Sequence, residues 1–255
     1  MKRTPELPLS SAIIAAAGMG TRMGGNVRKP YLALSGKPIL SWTLSALCKV
    51  PGLHQIVLVT RPEDRETALK AARLAKIPRR IRLDFAAGGA LRQDSVLSGL
   101  KSASAKSELV LIHDAARPFP PLAAMIEACK QAHQKGAAIL ACKVKDTVKR
   151  AEKAGSSNKG NGAHSLIHTT VPRAGLWLAQ TPQVFRRDLI LELFEKLVGE
   201  SPIPEVTDDA SICEFYRQPV VLVESSDTNL KVTRPEDLII ARGYLRDFVK
   251  AAAGK

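Results

Sequence analysis

Ala12-Ile13-Ile14-Ala15-Ala16-Ala17-Gly18-Met19-Gly20-Thr21-Arg22-Met23-Gly24-Gly25, followed closely by Lys29-Pro30, is a short apolar run that opens directly into a loop with four glycines. Without a Cβ, glycine lets backbone N–H groups turn inward around an anion. Arg22 and Lys29 add fixed positive charge where phosphate oxygens would lie. The pattern predicts a strand followed by a triphosphate-binding loop. Spacing excludes two better-known phosphate loops. The dinucleotide fingerprint needs G-x-G-x-x-G, and here the third glycine comes one residue late, at Gly24. The P-loop ends in Gly-Lys-Ser/Thr, a tripeptide absent from the chain.

Downstream of this loop, apolar runs alternate with helical patterns. Strands are expected at Ala12–Ala17, Gln55–Thr60, Ile81–Phe85, Leu109–His113 and Ala137–Val144. Helices are expected at Ile39–Lys49, Glu63–Leu74, Gln93–Lys101 and Leu122–Gln134, and again at 186–198, 208–216 and 235–249. This order implies parallel strands with helical crossovers, hence a three-layer α/β fold with a mostly parallel sheet. Ligands of such sheets bind beyond the carboxyl ends of the strands. Gly18–Gly25, Gly88-Gly89 and Asp114–Pro118 each follow a strand in that way. The rhythm breaks between about 146 and 173. There the polar stretch Ala151–His164 reads as the tip of a flexible hairpin projecting from the body. The expected organisation is a flexible lead-in over 1–10 and a single domain over 11–250, with an inserted β-arm at about 143–174.

The chain has 255 residues, enough for one full core. Its 38 Lys and Arg against 24 Asp and Glu leave a net charge of +14, which suits a solvated basic surface or a phosphorylated ligand. Aromatic content of 4%, with no interleaving of basic and aromatic residues, argues against a nucleic-acid-stacking surface. The four cysteines are far apart with no C-x-x-C pair, which fits buried thiols in the cytoplasm. Met1-Lys2-Arg3 resembles the start of a signal peptide, but Pro5, Glu6 and Pro8 interrupt it. No apolar run approaches the roughly 20 residues of a membrane span.

His113-Asp114-Ala115-Ala116-Arg117-Pro118 ends a strand facing the cationic loop, so Asp114 is a candidate Mg²⁺ ligand; the alternative is an Asp capping the next helix. Asp227 is a candidate second carboxylate, or an ordinary turn residue. In Gly88-Gly89-Ala90-Leu91-Arg92-Gln93-Asp94-Ser95 two glycines permit close approach to a flat base, and Ser95 can hydrogen-bond its edge. The same stretch also reads as a glycine turn with Asp94 or Ser95 as N-cap. Thr181-Pro182-Gln183 reads as a rigid turn. Thr207-Asp208-Asp209 reads as a helix N-terminus and an anion site. His113 orients its neighbours rather than ligates, and no Ser-His-Asp signature supports acyl transfer.

Together, A-A-A-G-M-G-T-R-M, Arg28-Lys29-Pro30-Tyr31, G-G-x-x-R-Q-D-S-V, H-D-A-A-R-P, A-Q-T-P-Q, T-D-D-A and N-L-K-V-T-R-P-E-D-L resemble the 2-C-methyl-D-erythritol 4-phosphate cytidylyltransferases of the non-mevalonate isoprenoid pathway. The resemblance runs from about Ala12 to Leu245. It implies a Rossmann-like nucleotidyltransferase domain whose β-arm interlocks with that of a second subunit in a homodimer. The implied reaction joins CTP and methylerythritol 4-phosphate, releases pyrophosphate and uses Mg²⁺. The implied roles are charge stabilisation by Arg22 and Lys29, phosphate binding by Lys231, and metal binding by Asp114 and Asp227. Ala16, Ala17, Gly18, Gly20, Gly88, Gly89, Ser95 and Ala115 would form the nucleotide pocket. Thr147, Arg173, Thr207 and Arg117 would bind the second substrate, with Thr147 and Arg173 reaching the partner's site.

Two features depart from the family pattern. The usual Pro-Lys-Gln is replaced by Arg28-Lys29-Pro30, although Lys29 keeps its seven-residue distance from Arg22. Pro30 is expected to hold Lys29 extended. The arm also carries a long polar insert. The nearest alternative is a cytidylyltransferase for another polyol phosphate, such as ribitol 5-phosphate; a more distant one is a basic RNA-binding protein. The length leaves room for one such domain, so fusion to the enzyme of the following cyclisation step is not expected.

Overall fold

Ala12, Ile14, Ile56, Leu58, Leu109 and Leu111 pack into one apolar layer, while Ile13, Val57, Val59, Val110 and Ile112 pack into another. Alternate residues of the same strands therefore face opposite ways, and both faces are covered, as a central parallel sheet requires.

The computed structural model describes residues 7–18, 28–152, 165–200 and 206–252. In chain order they form β1 (Ser10–Ala15), β2 (Ala33–Leu34), β3 (Lys37–Pro38), α1 (Ile39–Leu47), β4 (Leu53–Thr60), α2 (Arg65–Ala75), β5 (Arg82–Ala87), α3 (Arg92–Ser102) and β6 (Leu109–Asp114). Then follow α4 (Leu122–Lys135), β7 (Ala137–Lys143), β8 (Val148–Ala151), β9 (Ile167–Val171), β10 (Trp177–Arg186), α5 (Arg187–Val198), α6 (Asp209–Phe215), β11 (Val221–Glu224) and α7 (Pro235–Ala252). Seven strands form one sheet in the order β11-β7-β10-β6-β1-β4-β5, parallel except for β10, which runs antiparallel to both neighbours. Helices α1, α2 and α4 cover one face and α3, α5 and α6 the other. The expected three-layer, mostly parallel α/β fold is thus the observed one. None of the described helices is long and apolar enough to cross a membrane.

Register brings the site together. Ala15 of β1 lies beside Asp114 of β6 and Val59 of β4, so the loops after β1, β4, β5 and β6 all leave the sheet at one edge.

Three local readings need correction. Thr181-Pro182-Gln183 is not a turn: it lies inside β10, where the register with β7 shifts between Ala179 and Gln183. Lys29 is not extended: Arg28 takes that conformation, and Lys29 opens a short 3-10 turn through Tyr31. The N-terminus of α6 is not an open anion site either, because Asp208 accepts the Ser211 N–H at 3.0 Å. Between β7 and β10, strands β8 and β9 pair only with each other, as an antiparallel ribbon with most side chains exposed. Residues 153–164, the expected hairpin tip, lie outside the described residues, as do residues 1–6 of the lead-in.

A directed relay locks β10 to β6. The Arg117 carbonyl can only accept, so His113 Nε2–H donates to it across 3.0 Å. His113 is fully buried, and burial lowers its pKa to about 4, so it is neutral and its Nδ1 must accept. The Thr181 hydroxyl donates to that nitrogen at 3.0 Å while accepting the Asp114 N–H at 3.0 Å.

Two stability tests follow from this packing. A Cβ on Gly99 of α3 would sit 2.5 Å from Ile13 Cγ2 and 3.0 Å from Val59 Cγ2. In Gly99→Ala, overpacking costing about 1–3 kcal/mol opposes a helix-propensity gain of about 1 kcal/mol. The variant is expected to melt about 2–4 °C lower per net kcal/mol, and a higher melting temperature would contradict this close contact. Thr181→Val keeps the shape but strands the Asp114 N–H and His113 Nδ1, at about 1–3 kcal/mol for each unmade bond. Unchanged thermal stability in that variant would refute the relay.

Candidate active site

At the carboxyl edge of the sheet lies a cleft of about 300 Å³. Its walls are Ala15–Gly18 after β1, Lys29 and Pro30, Arg61 after β4, Gly89–Arg92 and Ser95, Asp114–Ala116, and Lys231. Among the described residues, four cations, Lys29, Arg61, Arg92 and Lys231, thus line it against one acid, Asp114.

Asp114 is only 9% exposed. Burial works against its charge, but Lys231, Arg117 and Arg92 outweigh that and hold the carboxyl well below the usual carboxylate range. Lys231 Nζ and Arg117 Nε both reach Oδ2, at 3.0 and 3.2 Å. Arg117 stands behind the acid and also donates to the Asn229 carbonyl at 2.8 Å. Asn229, fully buried, donates in turn to Gln180 Oε1 and to the Thr181 carbonyl, both at 2.9 Å. The segment carrying Lys231 is thereby fastened to β10.

The glycine pair after β5 is demanded by contact. A Cβ on Gly88 would fall 2.2 Å from Ala17 Cβ, and one on Gly89 would fall 2.3 Å from Asp94 Cβ. The loop after β5 therefore lies directly against the loop after β1. Ser95 Oγ accepts the Gly89 N–H at 3.0 Å and donates to the Leu91 carbonyl at 3.2 Å, so it shapes this loop while lining the cleft. Asp94 accepts the Leu91 N–H at 3.0 Å, which supports the start of α3.

The structure thus gathers Ala16, Ala17, Gly18, Lys29, Gly89, Ser95, Asp114, Ala115 and Lys231 around one cleft, with Gly88 and Arg117 directly behind it. Gly20 and Arg22 lie outside the described residues. It does not bring Asp227 into the lining, where the carboxylate is instead paired with Lys145. Arg173 donates to the Lys145 carbonyl, and Thr147 and Thr207 are exposed; none of the three lines the cleft.

Arg61 and Arg92 were not singled out in the sequence. Both follow strand ends as the chosen residues do, and Arg92 is the arginine of G-G-x-x-R, so position was the available signal. Arg61 Nε donates to the Ala17 carbonyl at 3.0 Å and shapes the loop backbone. Arg28, by contrast, is engaged by Glu63 and Asp64.

Among the described residues no cluster of three or more His, Cys, Asp or Glu could cage a metal. Asp114 alone fits a Mg²⁺ ion that takes one protein carboxylate and completes its shell with phosphates and water. The described chain has no reactive thiol: all four cysteines are buried, and burial pushes Cys129 and Cys213 up to about 12.

The sequence model of the 2-C-methyl-D-erythritol 4-phosphate cytidylyltransferase family matches residues 10–247. The chain is 41% identical to the enzyme of that name from Desulforamulus reducens, over 92% of this chain and 95% of that one. It is 39% identical to the one from Syntrophus aciditrophicus, covering 94% and 97%. It is also 41% identical, over 93% of its length, to a bifunctional enzyme from Desulfotalea psychrophila, of which it spans only 57%. Among solved structures, 4-diphosphocytidyl-2C-methyl-D-erythritol synthase from Anaerococcus prevotii superposes with a TM-score of 0.76 at 32% identity, covering 94% of this chain and 96% of that one. The cytidylyltransferase from Thermus thermophilus gives 0.71 at 30%, covering 95% and 100%. A cationic cleft with one buried acid among its described lining residues, set at the edge of this sheet, and similarity over nearly the whole chain lead to one conclusion: the chain belongs to the 2-C-methyl-D-erythritol 4-phosphate cytidylyltransferase family.

Proposed function

We propose that the cleft joins CTP and 2-C-methyl-D-erythritol 4-phosphate into 4-diphosphocytidyl-2-C-methyl-D-erythritol and pyrophosphate. The observation that carries this reading is the excess of four cations over one acid among the described residues that line a cleft at the carboxyl edge of the sheet.

A phosphate monoester has a second pKa of about 6 and is mostly dianionic at pH 7. An oxygen of the acceptor phosphate attacks the α-phosphorus of CTP, and the bond to the β-phosphate bridging oxygen breaks in line. Pyrophosphate leaves with that electron pair. No proton has to be removed, and neutral, buried His113 is unsuited to removing one. What the chemistry needs is suppression of repulsion between two anions, fixed geometry and stabilisation of charge at phosphorus. Lys29 supplies cationic stabilisation from the 3-10 turn, together with Arg22. Lys231, anchored beside Asp114, holds a phosphate oxygen and positions the acceptor. Ala17, Gly18 and Gly20 would present backbone N–H groups to the triphosphate, whereas Ala16, whose own N–H donates to the Val59 carbonyl at 2.9 Å, serves only as part of the nucleotide-pocket wall. Gly88, Gly89, Ser95 and Ala115 shape the base and ribose pocket.

A Mg²⁺ ion, when bound, screens the phosphate charges and polarises the α-phosphate. Asp114 would hold it, and Asp227 would join only after giving up Lys145. Thr147, Arg173, Thr207 and Arg117 bind the polyol phosphate in this reading. Thr147 and Arg173 do so across a homodimer built on the β8/β9 ribbon, whose exposed Leu166 and Ile167 support such a use. The enzyme acts in the cytoplasm, in keeping with four free thiols, and has neither a nucleic-acid nor a membrane partner.

Pyrophosphate release from CTP and Mg²⁺ is expected with methylerythritol 4-phosphate and not with ribitol 5-phosphate. Preference for ribitol phosphate would replace the acceptor, and no release with either would overturn the reading. Lys29→Ala and Lys231→Ala are each expected to lower kcat/KM by about 10²–10³-fold or more, and Lys231→Ala also to lower the melting temperature, because buried Asp114 loses one of its cations. Near-native turnover in either would remove that lysine from the mechanism.

A further inference from the structure

Arg92 opens α3 on the wall of the cleft, and both ends of its guanidinium fork are anchored. Nη1 lies 2.7 Å from Asp209 Oδ1 and Nη2 lies 2.6 Å from Oδ2. The two partners differ in exposure: the Asp209 side chain is 0% exposed, whereas the Arg92 side chain is 34% exposed and faces the cleft. The acid takes the tip of the fork, and about a third of the arginine side chain remains exposed on the cleft wall. Two of the five guanidinium N–H groups are engaged by Asp209, so three remain for other acceptors.

Stability alone is a poor reason for this pair. Burial pushes the Asp209 carboxyl upward against the pull of Arg92, and apolar replacements of buried ion pairs are often neutral or stabilising. The position of Asp209 is nevertheless strongly fixed. Gln183 of β10 donates to Asp208 Oδ2 at 2.6 Å and accepts the Ala210 N–H at 2.9 Å, bracketing Asp209 on both sides. β10 is also the strand that fastens Asp114 and the Lys231 segment. Arg92 in addition lends its field to the Asp114 anion, which places it beside the ground assigned to the phosphates.

We propose that Arg92 is a further phosphate-binding residue of the cleft, and that Asp209 is the positioning residue that aims its guanidinium and keeps it from closing on Asp114. The ligand atom is a phosphate oxygen, of the nucleotide or of the acceptor. This inference rests on the nucleotide-transfer reading above.

The test is calorimetric titration of the full-length enzyme in magnesium buffer with CTP and with cytidine, which has no phosphate, alongside steady-state KM and kcat for methylerythritol 4-phosphate. Arg92→Lys keeps the charge and loses the fork; Asp209→Asn keeps the shape and loses the anchor. The neutral double variant R92Q/D209N avoids a stranded charge should Asp209→Asn fold poorly. Loss of one charge-assisted hydrogen bond corresponds to about ten- to a hundredfold in affinity. A loss of that size for CTP, with cytidine unaffected, assigns Arg92 to the nucleotide phosphates. An equal rise in KM for the acceptor, with CTP affinity and kcat little changed, assigns it to the acceptor phosphate. Unchanged CTP affinity and unchanged acceptor KM, with only a lower melting temperature, would show a purely structural pair and overturn the proposal. Wild-type enzyme that binds no CTP would overturn the nucleotide-transfer reading itself.

Discussion

A carboxylate that is 9% exposed stays ionised only if cations surround it, and Asp114 is the acid on which the described site is organised. Its cations come from three parts of the chain: Arg117 from the loop that follows it, and, from far away in sequence, Lys231 from the segment before α7 and Arg92 from α3. Each is itself fastened, Arg117 to the Asn229 carbonyl and Arg92 to Asp209. Holding one buried charge therefore fixes the relative positions of three loops. Two of these cations, Lys231 and Arg92, also line the cleft, so the charge that holds the acid in place is the charge the cleft presents.

The antiparallel strand β10 makes this convergence possible. Its side chains reach three ways: Thr181 to the Asp114 and His113 end of β6, Gln180 to Asn229, and Gln183 to the N-terminus of α6. A further bond, from Gln180 Nε2 to Cys142 Sγ at 3.1 Å, ties β10 to its other neighbour, β7. Buried amide and hydroxyl side chains are costly when unpaired and orienting when paired. A-Q-T-P-Q thus acts as a polar spine inside an otherwise apolar sheet.

The legible parts of the sequence were those with a local physical signature. Apolar runs such as Ala12–Ala17 and Leu109–His113, followed by Gly18 and Asp114, read as buried parallel strands, and strands Ser10–Ala15 and Leu109–Asp114 stand there. The loops that follow them read as ligand sites and do meet at one cleft. By contrast, Thr181-Pro182-Gln183 looked like a turn because Pro and two polar residues interrupt strand periodicity; they lie within a strand because their polar groups find partners far away in the chain. β11 carried too short a pattern, four residues at the edge of the sheet, to stand out. Asp227 looked like a companion to Asp114, yet it is Lys145 that takes its charge.

Local chemistry alone therefore determined the fold class, the edge of the sheet where the cleft lies, and the residue types available there. Each of these depends on periodicity or on a glycine-and-charge pattern within about ten neighbouring residues. Only the tertiary structure decided which charge answers which: Arg28 to Glu63 and Asp64, Arg117 to Asp114 and Asn229, Arg92 to Asp209. The last two ties, Arg117 to Asn229 and Arg92 to Asp209, join residues 112 and 117 positions apart. Electrostatic pairing depends on distance in space and on burial, and no local pattern in a single chain encodes either.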